Sequence, residues 1–146
     1  MNDIIILFII SFLSSTLLPG GSEAHLSWLV LNTNYSLLFL LVIASLGNTL
    51  GGFTNWLIGF FINHSVLTKL KINLPKKNKR YHIAHLWIKN WGVYVLLLSW
   101  LPLIGDLLCL IAGIYKLNWF KSLIVILIGK SIRYAILIYF LNGIKL

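Results

Sequence analysis

The sequence is short of acidic residues and of charge in general. Of its 146 residues, 3 are Asp or Glu and 12 are Lys or Arg, so charged residues make up 10% of the chain and hydrophobic residues 59%. Average soluble domains carry about 25% charged and about 45–50% apolar residues. There is too little polar sequence to cover a core of this size, so the excess apolar surface must face lipid. The composition excludes a soluble domain and predicts an all-α integral membrane protein.

The sequence also lacks the groups that most enzymes need. Cys109 is the single cysteine, which excludes a disulfide framework and a cysteine-based metal site. There is no Ser-His-Asp set, no HExxH helix and no phosphate-binding loop with a lysine. Gly105-Asp106 shares only this dipeptide with the aspartyl intramembrane proteases. We therefore expect no enzymatic activity, no catalytic residue, no bound metal and no cofactor.

The net charge of +9 is concentrated in one part of the chain. Glu23 is the only formal charge between Ile4 and Thr68. Cations then follow in one loop: Lys69, Lys71, Lys76, Lys77, Lys79, Arg80 and Lys89. In a soluble protein such a charge suggests nucleic-acid binding, but a basic loop between apolar segments is typical of the cytoplasmic side of a membrane protein. We expect no nucleic-acid partner and a loop that contacts anionic lipid head groups.

Four apolar blocks flank this loop, at residues 4–32, 37–62, 91–115 and 119–142. A bilayer core about 30 Å thick needs about 20 helical residues. The second and fourth blocks satisfy this length and predict transmembrane helices. The first block is broken by Pro19, Gly20 and Gly21, and the third by Pro102 and Gly105. Their halves are too short to cross alone, which predicts two re-entrant helical hairpins.

The order of these segments predicts a single membrane domain over residues 1–146, built as an inverted repeat. A hairpin (4–32) and a span (37–62) precede the basic loop (63–90), which we expect to contain an amphipathic helix. A second hairpin (91–115) and span (119–142) follow it. If the loop is cytoplasmic, the first hairpin opens to the outside and the second to the cytoplasm. A first block that crosses fully, with the N-terminus inside, fits the same charges and is the alternative.

Two acids and two bases lie inside these blocks. Glu23 and Asp106 each follow a helix break, so they are either N-caps of the restarting helices or functional carboxylates. Lys130 and Arg133 share a face of the last span, where snorkelling to the surface is the alternative. The four charges sum to zero, and unpaired charges are costly in hydrocarbon. We therefore predict that they share one polar cavity between the hairpins.

The middle of the second block carries small and polar residues. Gly47 and Gly51 form a GxxxG pattern, which lets helices approach closely. Asn48 and Asn55 are seven residues apart and share a face. Two interpretations stay open for the asparagines, namely interhelical packing and the lining of a polar cavity.

A longer set of motifs occurs along the chain between about residue 8 and residue 140. It comprises Leu17-Leu18-Pro19-Gly20 with Ser22-Glu23, Gly47-Asn48 with Gly51-Gly52 and Asn55, Leu98-Ser99-Trp100 with Pro102, Gly105-Asp106-Leu107-Leu108-Cys109, Gly113, and Gly129-Lys130 with Arg133-Tyr134. Together they resemble the YqaA subfamily of the DedA superfamily, also called VTT or SNARE-associated Golgi proteins.

The resemblance implies a multi-pass protein of the bacterial inner membrane with two facing re-entrant hairpins. It implies translocation of undecaprenyl phosphate or other phospholipids, which in some members depends on the proton gradient and on membrane acids and bases. Glu23 corresponds to the acid of the first hairpin, and Arg133 to a basic residue after the second. Larger members carry an Arg on each side of the second proline, where this chain has Ser99 or Trp100 and Gly105-Asp106. They also have outer helices that this chain lacks.

The favoured function is therefore lipid translocation, with or without proton coupling, and the partners are membrane lipids of the anionic or polyprenyl phosphate type. The half-helix N-termini, Lys130 and Arg133 would receive a lipid phosphate. Protonation of Glu23 and Asp106 would release the two cations to it. Two alternatives remain: a structural or assembly subunit with Gly47 and Gly51 on a partner face, and a small ion-coupled solute transporter. A homo-oligomer is compatible with each.

The orientation can be tested by labelling. A cysteine at Asn78, in a chain without Cys109, should not react with an impermeant thiol reagent applied to intact cells, because the loop is cytoplasmic. The same cysteine should react after the cells are opened. Labelling of intact cells would reverse the orientation.

Overall fold

The computed structural model describes residues 2–16, 21–62, 86–102 and 104–145, and within these ranges it contains helices and no strand. The main elements are α1 (Asn2–Thr16), α2 (Gly21–Asn32), α3 (Leu37–Phe61), a 3₁₀ helix (Gly92–Trp100), α4 (Ile104–Ile114) and α5 (Trp119–Lys145). Residues 86–91 are also helical and lead into the 3₁₀ helix. The all-helical prediction is confirmed. Most of the basic loop, residues 63–85, lies outside the described residues.

Helices α3 and α5 are the two that are long and apolar enough to cross a bilayer, within the described part of the chain. They run antiparallel. The Nζ atom of Lys116, just before α5, lies 5.7 Å from the ring of Phe60 near the end of α3. Leu37, at the start of α3, packs in the same cluster as Leu141 of α5. The end of the molecule that carries Lys116 and Lys121 is called the basic end below.

Helix α1 runs parallel to α3 and is in close contact with it at the GxxxG pattern. A Cβ atom on Gly47 would lie 2.5 Å from the carbonyl oxygen of Phe8, and one on Gly51 would meet that of Phe12. Helix α2 returns along the pair, since its Leu26 packs in one cluster with Leu7 of α1. Residues 4–32 are therefore two helices and not one continuous span. Leu17, Leu18, Pro19 and Gly20, where we expected the turn, lie outside the described residues.

The second broken block has the same plan with one difference. Its first arm is a 3₁₀ helix, which begins at Gly92 with a φ of 56°. A 3₁₀ helix rises about 2.0 Å per residue, so this arm reaches further than an α-helix of equal length. Helix α4 then runs parallel to α3, because a Cβ on Gly52 would lie near Cys109 and, four residues later on both helices, one on Gly113 would meet Trp56. Pro102 lies in the turn between the arms, and Leu103 is outside the described residues.

The interior is arranged in layers along the helices. One apolar cluster, which includes Leu7, Leu29, Leu40 and Ile138, lies away from the basic end. A second, which includes Trp56, Leu96, Ile111 and Ile126, lies toward it. Ser14, Ser15, Asn48 and Lys130 are buried polar residues that belong to neither cluster. The outside is apolar as well: Leu38 is 73% and Phe61 74% exposed, as expected of side chains that face lipid.

The close contact between α3 and α4 can be tested by enlarging one glycine. Gly59→Ala should destabilise the protein by about 1–3 kcal/mol, because the new methyl group overlaps the backbone of Leu110. Gly143→Ala, on α5 with no atom near its position, should be neutral or stabilising by up to about 1 kcal/mol. Unfolding of both variants in detergent measures the difference, and equal stability would contradict the packing.

Candidate functional site

Lys130, near the middle of α5, forms an ion pair with Asp106 in the first turn of α4. Its Nζ atom lies 2.8 Å from Oδ1 of Asp106, and the Lys130 side chain is 1% exposed. Ser15, near the end of α1, donates to the same carboxylate oxygen at 2.7 Å and accepts from Lys130 at 3.2 Å. Asn55 of α3 donates to the backbone oxygen of Ser15 at 2.8 Å. This first ion pair therefore joins the end of α1, the start of α4 and the middle of α5.

Arg133, one turn further along α5, pairs with Glu23 in the first turn of α2. Its Nε and Nη2 atoms lie 2.7 and 2.6 Å from the same oxygen, Oε1 of Glu23. This pair is less buried than the first, with Arg133 13% and Glu23 35% exposed. Each acid thus pairs with a base on α5, as expected for charges inside a membrane.

A chain of neutral hydrogen bonds lies next to the second pair. The Tyr134 hydroxyl accepts from Asn48 at 2.6 Å and donates to Ser22 at 2.9 Å. Ser22 in turn donates to Ser14 of α1 at 3.1 Å. Two consecutive residues of α2 therefore contact two consecutive residues of α5: Ser22 accepts from Tyr134, and Glu23 pairs with Arg133. These contacts fix the start of α2 against α5 and hold the carboxylate at the guanidinium.

A cavity of about 570 Å³ opens beside the Arg133–Glu23 pair. It is lined by residues of α2 and α5, of the end of the 3₁₀ helix and of the turn before α4: Glu23, Ser27, Trp100, Pro102, Arg133, Ile136, Leu137, Phe140 and Leu141. Glu23 and Arg133 are the charged residues of this lining. The remaining wall is largely apolar, and Ile136 and Phe140 are 47% and 67% exposed. The cavity is thus charged at one end and open along an apolar face of α5.

The prediction of one shared cavity is wrong for two of the four charges. Asp106 and Lys130 form their own pair, in which the Lys130 cation is buried, and neither lines the cavity. The physical reason is that Ser15 and Asp106 supply acceptors at hydrogen-bond distance from the Lys130 ammonium, so this cation is satisfied inside the protein. Of the two cations expected to receive a phosphate, only Arg133 lies at an open surface.

The other predicted residues have structural contacts. Asn48 donates to Tyr134 of α5, and Asn55 donates to Ser15 of α1. Both contacts agree with the interhelical packing interpretation. Gly105 allows the start of α4 to lie against the backbone of Ser99, whereas a Cβ on Gly21 would make ordinary contact with Ile10. Gly47 and Gly51 are covered by α1 and do not form an outer partner face.

The sequence reasoning did not find the roles of Ser14 and Ser15. Both are buried near the end of α1, where one contacts the start of α2 and the other the start of α4. Two consecutive serines before a helix break are a weak signal, because serine is also common at such ends without any partner. Only the packing of α1 against both restarting helices reveals their use.

Comparison with known proteins gives consistent matches over most of the chain. A model of the VTT domain matches residues 24–143. The chain is 40% identical over 129 residues to the Inner membrane protein YqaA of Escherichia coli, covering 88% of this chain and 84% of that protein, and the same values hold for YqaA of Shigella flexneri. An uncharacterized protein of Haemophilus influenzae is 38% identical over 148 residues, covering 94% and 87%. No solved structure gives a significant match.

The first ion pair should act mainly on stability. Asp106→Asn removes the anion from the fully buried Lys130, so it should cost about 3–5 kcal/mol. Lys130→Met should cost less, because Asp106 keeps 24% of its side chain exposed. The double variant Lys130→Met with Asp106→Asn should cost less than the two single changes together. Unfolding in detergent tests this, with the exposed Lys121→Met as control, and additive losses would contradict the pairing.

Proposed function

Because the chain belongs to the VTT-domain family of membrane proteins, also called the DedA family, we propose that it moves phospholipids or lipid-linked carriers across the membrane. The observation that carries this proposal is the amphiphilic cavity beside Arg133. Its charged end suits a lipid phosphate, since a guanidinium offers a planar pair of donors for phosphate oxygens. Its apolar wall suits a hydrocarbon chain.

The direction in which the apolar wall extends from Arg133 supports the proposal of lipid translocation. Residues 136–141 continue α5 away from the basic end, and Arg133 lies near the middle of this helix. A lipid with its phosphate at Arg133 and an acyl chain along this wall has its headgroup toward the basic end. It is therefore oriented like a lipid of the leaflet at that end. Its headgroup has moved inward by about half of the roughly 30 Å core. This is the position that a headgroup must pass during translocation.

We further propose that the two broken blocks are re-entrant hairpins of an inverted repeat in a multi-pass protein of the bacterial inner membrane. The contacts support this arrangement: α1 packs on α3 and the 3₁₀ helix on α5, whereas, of the two spans, α2 packs mainly on α5 and α4 on α3. The first pair of arms starts and ends away from the basic end, and the second pair starts and ends near it. The positive-inside rule makes the basic end cytoplasmic.

Proton coupling would act at Glu23 in this proposal. A lipid that carries only negative charge must displace this carboxylate from Arg133. Protonation of Glu23 removes the competing charge and frees the guanidinium. Asp106 is not expected to act in this way on the lipid, because its partner Lys130 does not line the cavity.

The alternatives have less support from the geometry. The structural-subunit alternative places Gly47 and Gly51 on a partner face, but α1 covers both glycines. A site for a small polar solute needs several convergent polar groups, whereas most of this cavity wall is apolar. The open apolar face favours an amphiphile over both.

The proposal is tested by lipid movement in liposomes. Arg133→Ala should lower the rate by about tenfold or more, because the phosphate loses its charge-assisted donors. Arg133→Lys should also be impaired, since one ammonium cannot replace the two donors. Glu23→Gln should keep the fold and lose any stimulation by a proton gradient. Lys121→Gln is the control, and unchanged movement in all variants at equal folded yield would refute the cavity mechanism.

A further inference from the structure

The charges that line the cavity cancel each other. Arg133 contributes one positive charge and Glu23 one negative charge, and no other described lining residue carries a formal charge. The nearest cation along α5, Lys130, is held by Asp106 and is 1% exposed. The open site therefore presents a dipole and not a net positive charge.

This balance makes a purely anionic headgroup a poor ligand. If a phosphate took both donors of Arg133, Glu23 would keep a negative charge without a cation, in a position that is 35% exposed and beside apolar side chains. An unpaired carboxylate in such surroundings is costly. A ligand that brings its own cation replaces both partners of the ion pair and leaves neither charge alone.

We propose that the Glu23–Arg133 pair recognises a dipolar headgroup, with the phosphodiester on Arg133 and an ammonium group on Glu23. This inference rests on the proposed function and adds the class of lipid, a zwitterionic phospholipid. Trp100 lines the same cavity and is 40% exposed, so its ring offers a further surface for the ammonium group. Glu23 then binds the headgroup in addition to forming its ion pair with Arg133.

The test compares two lipids that differ only in the headgroup, which is zwitterionic in one and anionic in the other. Phosphatidylethanolamine and phosphatidylglycerol, each with the same fluorescent acyl chain so that the headgroup stays intact, are placed in liposomes that contain the full-length protein. The rate of movement between leaflets is measured by chemical quenching of the outer leaflet. We expect phosphatidylethanolamine to move about tenfold faster than phosphatidylglycerol, the factor that about 1.4 kcal/mol of differential binding gives.

Glu23→Gln separates the role of the carboxylate from that of the fold. It should remove the preference by slowing phosphatidylethanolamine, while phosphatidylglycerol moves as fast as before or faster, because the competing charge has gone. Glu23→Asp keeps the charge and should keep most of the preference. Lys121→Gln, an exposed cation of α5 outside the cavity, should leave the preference unchanged.

The outcomes distinguish the two proposals. Equal rates for both lipids in the unchanged protein, or an equal loss for both in Glu23→Gln, would overturn the dipolar headgroup and leave lipid movement standing. If neither lipid moves faster than in protein-free liposomes, lipid translocation itself is refuted, and the headgroup assignment fails with it.

Discussion

The structure depends on the pairing of Lys130 and Arg133 of α5 with one acid from each restarting helix. Charges are expensive in a bilayer core, so Lys130 and Arg133 are tolerable only where α4 and α2 present Asp106 and Glu23. Each acid lies in the first turn of its helix, where the positive end of the helix also favours a carboxylate. The pairs thereby fix where both helices begin along α5.

The two pairs differ in burial, and this difference separates their roles. The pair at Lys130 has a fully buried cation, shares Ser15 of α1 and joins three helices. The pair at Arg133 is open to a cavity. The Tyr134 hydroxyl donates to Ser22 and so fixes the position of Glu23, the next residue of α2. One pair can therefore keep the helices together while the other exchanges its partner for a ligand.

Much of this arrangement follows from the sequence, because the constraints are strong. The lengths of the apolar blocks, the helix breaks and the four membrane charges predict the helices and the need for pairing. Which acid meets which base could not be predicted, since Lys130 and Arg133 are only three residues apart and share a face. Nor could the burial of the Lys130 ammonium, which has Ser15 as one of its acceptors, or the 3₁₀ form of residues 92–100, which pack closely against Gly129.

The central claim is that a lipid headgroup reaches Arg133 in the middle of the membrane. A phospholipid with a photoreactive group on its headgroup tests this directly, by mass spectrometry of the labelled peptides after illumination in a bilayer. The account predicts labelling of the peptides that contain Glu23 and residues 133–137, and its loss in Arg133→Ala. Labelling restricted to the helix ends, such as residues 87–91 or 119–121, and the same in both proteins, would contradict it.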